Sequence, residues 1–128
     1  AMSLPNPALG FLKHSDRSMN YSHSDKTIKV LFNEAILAAT KSCIILIEEN
    51  YSPVIYIPAN DIRFEFMEKT QCSTYCPFKG TASYWNIKSD QNFEENAAWS
   101  YLDPFDEALI IRGYLAFYPN KVSAINIY

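Results

Sequence analysis

The stretch Cys76-Pro77-Phe78-Lys79-Gly80-Thr81-Ala82-Ser83-Tyr84-Trp85 holds much of the chemistry this chain could perform, together with Glu95-Asn96-Ala97-Ala98-Trp99-Ser100-Tyr101 a short polar gap later. A thiol, an amine, a carboxylate and a carboxamide stand there among large aromatics, in segments that read as two halves of a hairpin. Lys79-Gly80-Thr81 offers a point charge, a backbone free to approach a ligand and a hydroxyl, which together can hold a phosphate or serve a tight turn. Glu95 near Lys79 would form either a coupled acid/base pair or a structural ion pair. Asn96 is out of place in a strand and suggests a bulge or an inward polar contact. By strand alternation Glu95, Ala97 and Trp99 share a face. Tyr84, Trp99, Tyr101 and Tyr114 could line a cavity that stacks a planar ligand, or fill a core.

Other chemistries meet the sequence less well. Cys72 and Cys76 could give zinc two soft ligands, but a structural site takes four, and both histidines, His14 and His23, lie far upstream. No metal ligands are expected. Magnesium would enter only with nucleotide chemistry, for which Glu94-Glu95 and Asp103 with Asp106 are the nearest carboxylates. Cys76 could be a nucleophile whose thiolate Lys79 stabilises, but no histidine after His23 serves as its base. Lys79-Gly80-Thr81 has neither the spacing of the phosphate-binding loop nor the aspartate of a covalent nucleotidyl-transfer signature. A Cys72–Cys76 redox pair is a further class, and needs Cα atoms within about 7 Å.

The elements that must position these groups read as strands. Ile28, Val30 and Phe32 alternate before a tight turn at Asn33-Glu34. Cys43–Ile47 is a continuous apolar run, consistent with burial on both faces, and Val54–Ile57 is stopped by Pro58. Arg63–Glu68 alternates phenylalanines with charges, Thr70–Gly80 reads as a loop, and strands follow at about 81–88 and 93–101. Asp103 can cap one short helix near 104–112, with Pro104 in its first turn and Gly113 as its stop. Tyr114–Tyr118 and Val122–Tyr128 close the chain as a pair. The pattern predicts a mainly β fold, a single compact domain of coiled antiparallel sheets or a barrel, over residues 27–128. Residues 1–26 read as a leader packed on or fraying from it, anchored by Leu9, Phe11 and Leu12. Ala1 before Met2 reads as an expression scar.

Composition narrows the function. The chain has 128 residues, 48% of them hydrophobic, and a net charge of -3, which suits one soluble domain with its own core and excludes a disordered class. It lacks the basic stripe of a nucleic-acid backbone binder. No apolar run approaches the roughly 18 residues of a membrane span. Three cysteines, an odd number, without a secretory signal suggest reduced thiols in the cytoplasm.

The segments Ile28–Phe32, Pro53–Pro58 with Asp61-Ile62-Arg63, Cys76–Tyr84, Glu95–Tyr101 and Gly113–Pro119 resemble the family catalogued as domain of unknown function 427. Asn6–Phe11 with Lys13-His14 is similar to the start of many members. The resemblance implies a compact, mainly β domain found in bacteria and fungi and sometimes labelled a nucleotidyltransferase. Two departures stand out. Ala59-Asn60 replaces the Arg-Glu of many members, and Tyr75 stands where some carry histidine.

The expected function is binding of a small anionic or nucleotide-like molecule, with a transferase activity resting on the family label alone. Its site would lie between segments 76–85 and 95–101. Lys79, Gly80 and Thr81 would contact the anion, and Trp99 and Tyr101 would pack the planar part. Cys76, Tyr84 and Asn96 would complete the lining, with Lys79 and Glu95 as the candidate catalytic pair. The rival class is a protein-interaction or scaffold module that binds through exposed aromatics on an edge strand such as 122–128, with no ligand.

Overall fold

The computed structural model describes residues 4–128, so the expected scar at Ala1 and start at Met2 lie outside the described residues. Side-chain alternation builds the strands. In β1 (Met19–Ser24) and β2 (Ile28–Phe32) the even-spaced residues are the more buried ones, whereas β3 (Ala35–Thr40) and β4 (Cys43–Glu48) each also bury a pair of neighbours, Leu37-Ala38 and Cys43-Ile44. Cys43, Ile44 and Leu46 are buried, but Ile45 is only partly so and Ile47 is exposed, so the expected burial on both faces holds only at the start of the run. β5 (Val54–Tyr56), β6 (Met67–Cys76), β7 (Gly80–Ser89), β8 (Asn92–Ser100), β9 (Leu115–Phe117) and β10 (Ala124–Ile127) follow.

All pairings are antiparallel, in three sheets of order β1-β4-β5, β10-β2-β3 and β6-β7-β8-β9. The first and third sheets meet where Ile57 N–H donates to Leu115 O at 2.7 Å and Leu115 N–H returns a bond at 2.9 Å. This makes one coiled surface of seven strands that does not close into a barrel. One core lies between it and the second sheet, with Val30, Leu37, Ile57, Ile87, Ala98 and Phe117. The other lies on its opposite face, around Ile44, Leu46, Tyr56, Tyr101, Ala108 and Ile111. Each fully buried Leu or Ile side chain contributes roughly 1.5–3 kcal/mol of transfer free energy.

Several local expectations change. Thr70–Gly80 is not a loop: most of it is β6, whose exposed pattern hid the strand because one edge and one face meet water. Arg63–Glu68 is instead a 3-10 turn at Phe64–Phe66. The helix near 104–112 is a 3-10 helix, Asp106–Ile111, without a side-chain cap. Its start is delayed because Phe105 N–H donates to Lys79 O at 2.8 Å, which holds Phe105 extended. β9 and β10 do not pair with each other; they join β8 and β2.

The stretch read as a leader contributes β1, paired along β4. Upstream, Asn6 N–H donates to Asp106 Oδ2 and Ala8 N–H to Glu107 Oε1, both at 2.8 Å. The short helix α1 (Gly10–Lys13) follows. The anchors are Ala8, Gly10 and Phe11. Leu9 and Leu12 are exposed. An added Cβ at Gly10 would fall 2.9 Å from a Phe78 ring carbon and 2.9 Å from Pro77 O, so only glycine permits this approach.

Candidate functional site

Glu48 ends β4 on the same face as Ile44 and Leu46, since residues two apart on a strand share a face. That parity carries a carboxylate to the rim of the second core, where it is 9% exposed. Two cations meet it there. Lys79 Nζ, from the turn between β6 and β7, lies 3.0 Å from Oε1. Arg17, just before β1, places a guanidinium nitrogen 2.8 Å from Oε2. Burial pushes the Glu48 carboxyl up, but the hydrogen bonds from Arg17 and Lys79 outweigh it and hold the group below the usual carboxylate range. The bond to Glu48 in turn raises Arg17 above its ordinary value.

Phenols surround this network. Tyr21 from β1, Tyr56 from β5 and Tyr101 after β8 belong to the second core, and burial pushes each phenol well above its ordinary value. They are neutral donors at any physiological pH. Lys79 Nζ sits 6.0 Å from the centroid of the Tyr101 ring, and the half-buried Cys76 belongs to the same cluster.

On the Arg17 side of the network opens a cleft of about 570 Å³, lined among others by His14, Asp16, Arg17, Glu49, Tyr51 and Phe78; Glu48 and Lys79 lie behind Arg17 and do not line it. The Arg17 guanidinium carbon lies 4.6 Å from the Phe78 ring centroid and 5.3 Å from that of Tyr51. Phe78 is held in turn by Phe11, edge-on at 5.0 Å. The β6–β7 turn, the leader and the turn after β4 thus meet at one place.

The sequence-predicted residues divide. Lys79, Cys76 and Tyr101 are brought together here. Tyr84 and Trp99 pack in the same core, paired across β7 and β8, with the Tyr84 hydroxyl 2.7 Å from Thr74 Oγ1 and the Tyr118 ring tilted at 39° with its centroid 4.4 Å from that of Trp99. Tyr114 joins them, as grouped from sequence. Burial and the Tyr84 hydroxyl push the Tyr118 phenol up to about 12.

Four predicted residues stand elsewhere. Glu95 is exposed near the far end of β8, where its backbone carbonyl accepts a bond from Lys121 Nζ at 2.8 Å; it does not meet Lys79. Asn96 is the bulge: at φ 48° its N–H donates to Asn86 Oδ1 and its own Oδ1 accepts from Thr70. The bulge also breaks the expected alternation, so Ala97 faces the first core and Trp99 the second. Thr81 is exposed and opposite Tyr75. Gly80 serves packing, since at φ 125° an added Cβ would lie 3.3 Å from the Pro104 Cα. Nor is there a gap between segments 76–85 and 95–101, because β7 and β8 are hydrogen-bonded neighbours.

Cys72 and Cys76 lie four residues apart on one strand, roughly 13 Å by strand rise, too far to bridge. Among the described residues no three His, Cys, Asp or Glu side chains converge as metal ligands, and no helix is long and apolar enough to cross a membrane.

Sequence reasoning missed Arg17, Tyr21, Glu48, Tyr51 and Tyr56. Glu48 carried a signal, as the residue that continues the Ile44–Leu46 face of a buried strand. Arg17 carried none, because its position depends on where the leader docks.

No curated protein matches this chain. A family model described as a domain of unknown function (DUF427), named NTP_transf_9, matches residues 20–127, from the second residue of β1 to the last of β10. Glu48, Cys76, Lys79 and Tyr101 fall inside that span and Arg17 just outside it. With all three sheets covered, the chain belongs to the DUF427 family.

Proposed function

We propose that this domain binds a small anionic molecule carrying a planar, nucleotide-like group at the cleft beside Arg17 and Phe78. One observation carries the reading: Lys79 and Arg17 share the single carboxylate of Glu48 in a largely buried network. Within this trio one positive charge is unmatched by Glu48, and it is presented to the cleft through Arg17. An anion at the inner end of the cleft supplies the missing charge, and Arg17 keeps N–H donors beyond its bond to Glu48. Tyr51 and Phe78 flank the guanidinium and offer rings to the planar part. Of the residues read from sequence, Lys79 would reach the anion from beneath the cleft, through the network it shares with Arg17, and Cys76 and Tyr101 belong to the core behind it. Any group transfer at this site would use Glu48, not Glu95, as the carboxylate beside Lys79. The free thiols of Cys43, Cys72 and Cys76 favour a reducing, cytoplasmic setting.

The test is thermal unfolding against nucleotides and phosphorylated metabolites, with and without magnesium, for wild type, Lys79→Ala and Arg17→Gln. A ligand at about 100 times its Kd adds roughly 2.7 kcal/mol, a shift of several degrees in a domain of this size. The shift should appear in wild type and vanish in both variants. No shift with any compound would sink the reading.

A second reading rests on a separate observation. Among the described residues β10 pairs only with β2, and beside its other edge Ile127 and Tyr128 are more than half exposed. An extended peptide could add there as a further strand, making the domain an interaction module. Ile127→Lys should then abolish partner capture while Lys79→Ala leaves it intact.

A further inference from the structure

We infer that this site selects a singly charged anionic group, such as a phosphodiester, over a doubly charged phosphomonoester, and that Glu48 sets the selection. The inference rests on the anion reading above and names the charge class of its ligand.

Charge balance within a largely buried network decides the preference. Arg17 and Lys79 bring two positive charges and Glu48 one negative, all linked by contacts of 2.8 and 3.0 Å. The side chains of Glu48 and Lys79 are 9% and 12% exposed, and that of Arg17, which lines the cleft, 32%. A monoanion therefore brings the network to neutrality. A dianion overshoots it by one negative charge, and the mouth of the cleft cannot absorb the excess, because Asp16 and Glu49 line it. Those two carboxylates suit neutral hydroxyls of a ligand, which can donate to them. An unmatched unit charge at contact distance in such a setting is worth about tenfold or more in affinity.

Glu48 is the residue that makes the count come out at one. Without its charge the network would carry two positive charges and favour the dianion. This differs from a general phosphate cradle, in which affinity rises with each added negative charge.

The experiment compares adenosine monophosphate with its methyl ester by calorimetry at low ionic strength and about pH 8. There the monoester is a dianion, its second ionisation lying near pH 6, and the methyl ester a monoanion. Purine, sugar and phosphorus are common to both. Wild type should bind the methyl ester about tenfold more tightly, and Glu48→Gln should reverse the order. Should Glu48→Gln not fold, Asp16→Asn combined with Glu49→Gln at the exposed mouth is the second variant. It removes two negative charges and must narrow the gap. An order that favours the monoester in wild type overturns this inference and leaves the anion reading standing. A gap unchanged by the folded variants also overturns it. Binding of neither compound to wild type overturns both together.

Discussion

Two clefts of similar size lie at opposite ends of β7, and they are polar for different reasons. The cleft beside the β6–β7 turn measures about 570 Å³, and the one at the β7–β8 turn about 520 Å³. The second is lined by Asn33, Glu34, Phe66, Ser89, Asp90 and Asn92, among which Asn33 and Asp90 have φ of 53° and 54°. Asn and Asp are the side chains that tolerate the left-handed turns of tight hairpins, so backbone geometry accounts for their presence. No turn requires a carboxylate at the end of β4, on the same face as Leu46, with an ammonium and a guanidinium gathered onto it. Burying such a network costs desolvation that apolar residues would avoid. Cleft volume does not separate the two ends; buried charge without a structural motive does.

The sharpest way to break this comparison is Glu48→Gln. It leaves Lys79 and Arg17 without a counter-charge, and the loss should be about 3 kcal/mol, at the low end for a buried pair because Arg17 is a third exposed. Chemical denaturation measures it. A loss below about 1 kcal/mol would mean that the network is a surface ion pair like any other. Acid provides the same test without a mutation. A carboxyl whose folded value lies below its unfolded one stabilises the fold above the unfolded value, near pH 4.3, and that contribution is lost as pH falls through the folded value. Wild type should therefore lose stability more steeply below about pH 4 than Glu48→Gln does.

Gly80→Ala comes next, at about 2 kcal/mol. Its φ of 125° is foreign to a side chain, and the new Cβ would press on the Pro104 backbone. The strain falls at the end of the turn that aims Lys79, so anion affinity should drop with stability. Unchanged affinity in a destabilised variant would separate the turn from the site.

The sheets were legible where one periodicity ruled. Ile28–Phe32 and the start of Cys43–Ile47 declared their burial, though Ile47 at the end of that run is exposed, and the Asn33 turn and the Asn96 bulge were readable from residues that avoid strands. β6 was not legible, since an edge strand facing water on one side shows no apolar alternation. For the site, Lys79, Cys76 and Tyr101 were found because they sit in one dense motif, and that density also misled. Nearness in sequence paired Lys79 with Glu95, whereas the coiled sheet pairs it with Glu48, which lies 31 residues away. The contribution of Arg17 depends on the leader packing over Phe78, a tertiary event with no local sequence signal.

The smallest effect is expected from Asp90→Asn, and it bears on the comparison from the other side. Asn occupies the left-handed region at least as readily as Asp, and Asp90 is exposed, so stability should change by no more than about 0.5 kcal/mol. Ligand affinity should not change, because the side chain stands at the far end of β7 from Lys79. If the β7–β8 cleft were a site whose carboxylates bind something, replacing one by an amide would alter the affinity for that ligand while leaving the turn intact. Asp90→Asn keeps the backbone and removes only the charge, whereas Glu48→Gln removes a charge that the fold has built around. A ligand-induced shift in melting temperature that responds to Asp90→Asn and not to Glu48→Gln would transfer the functional assignment to the β7–β8 cleft.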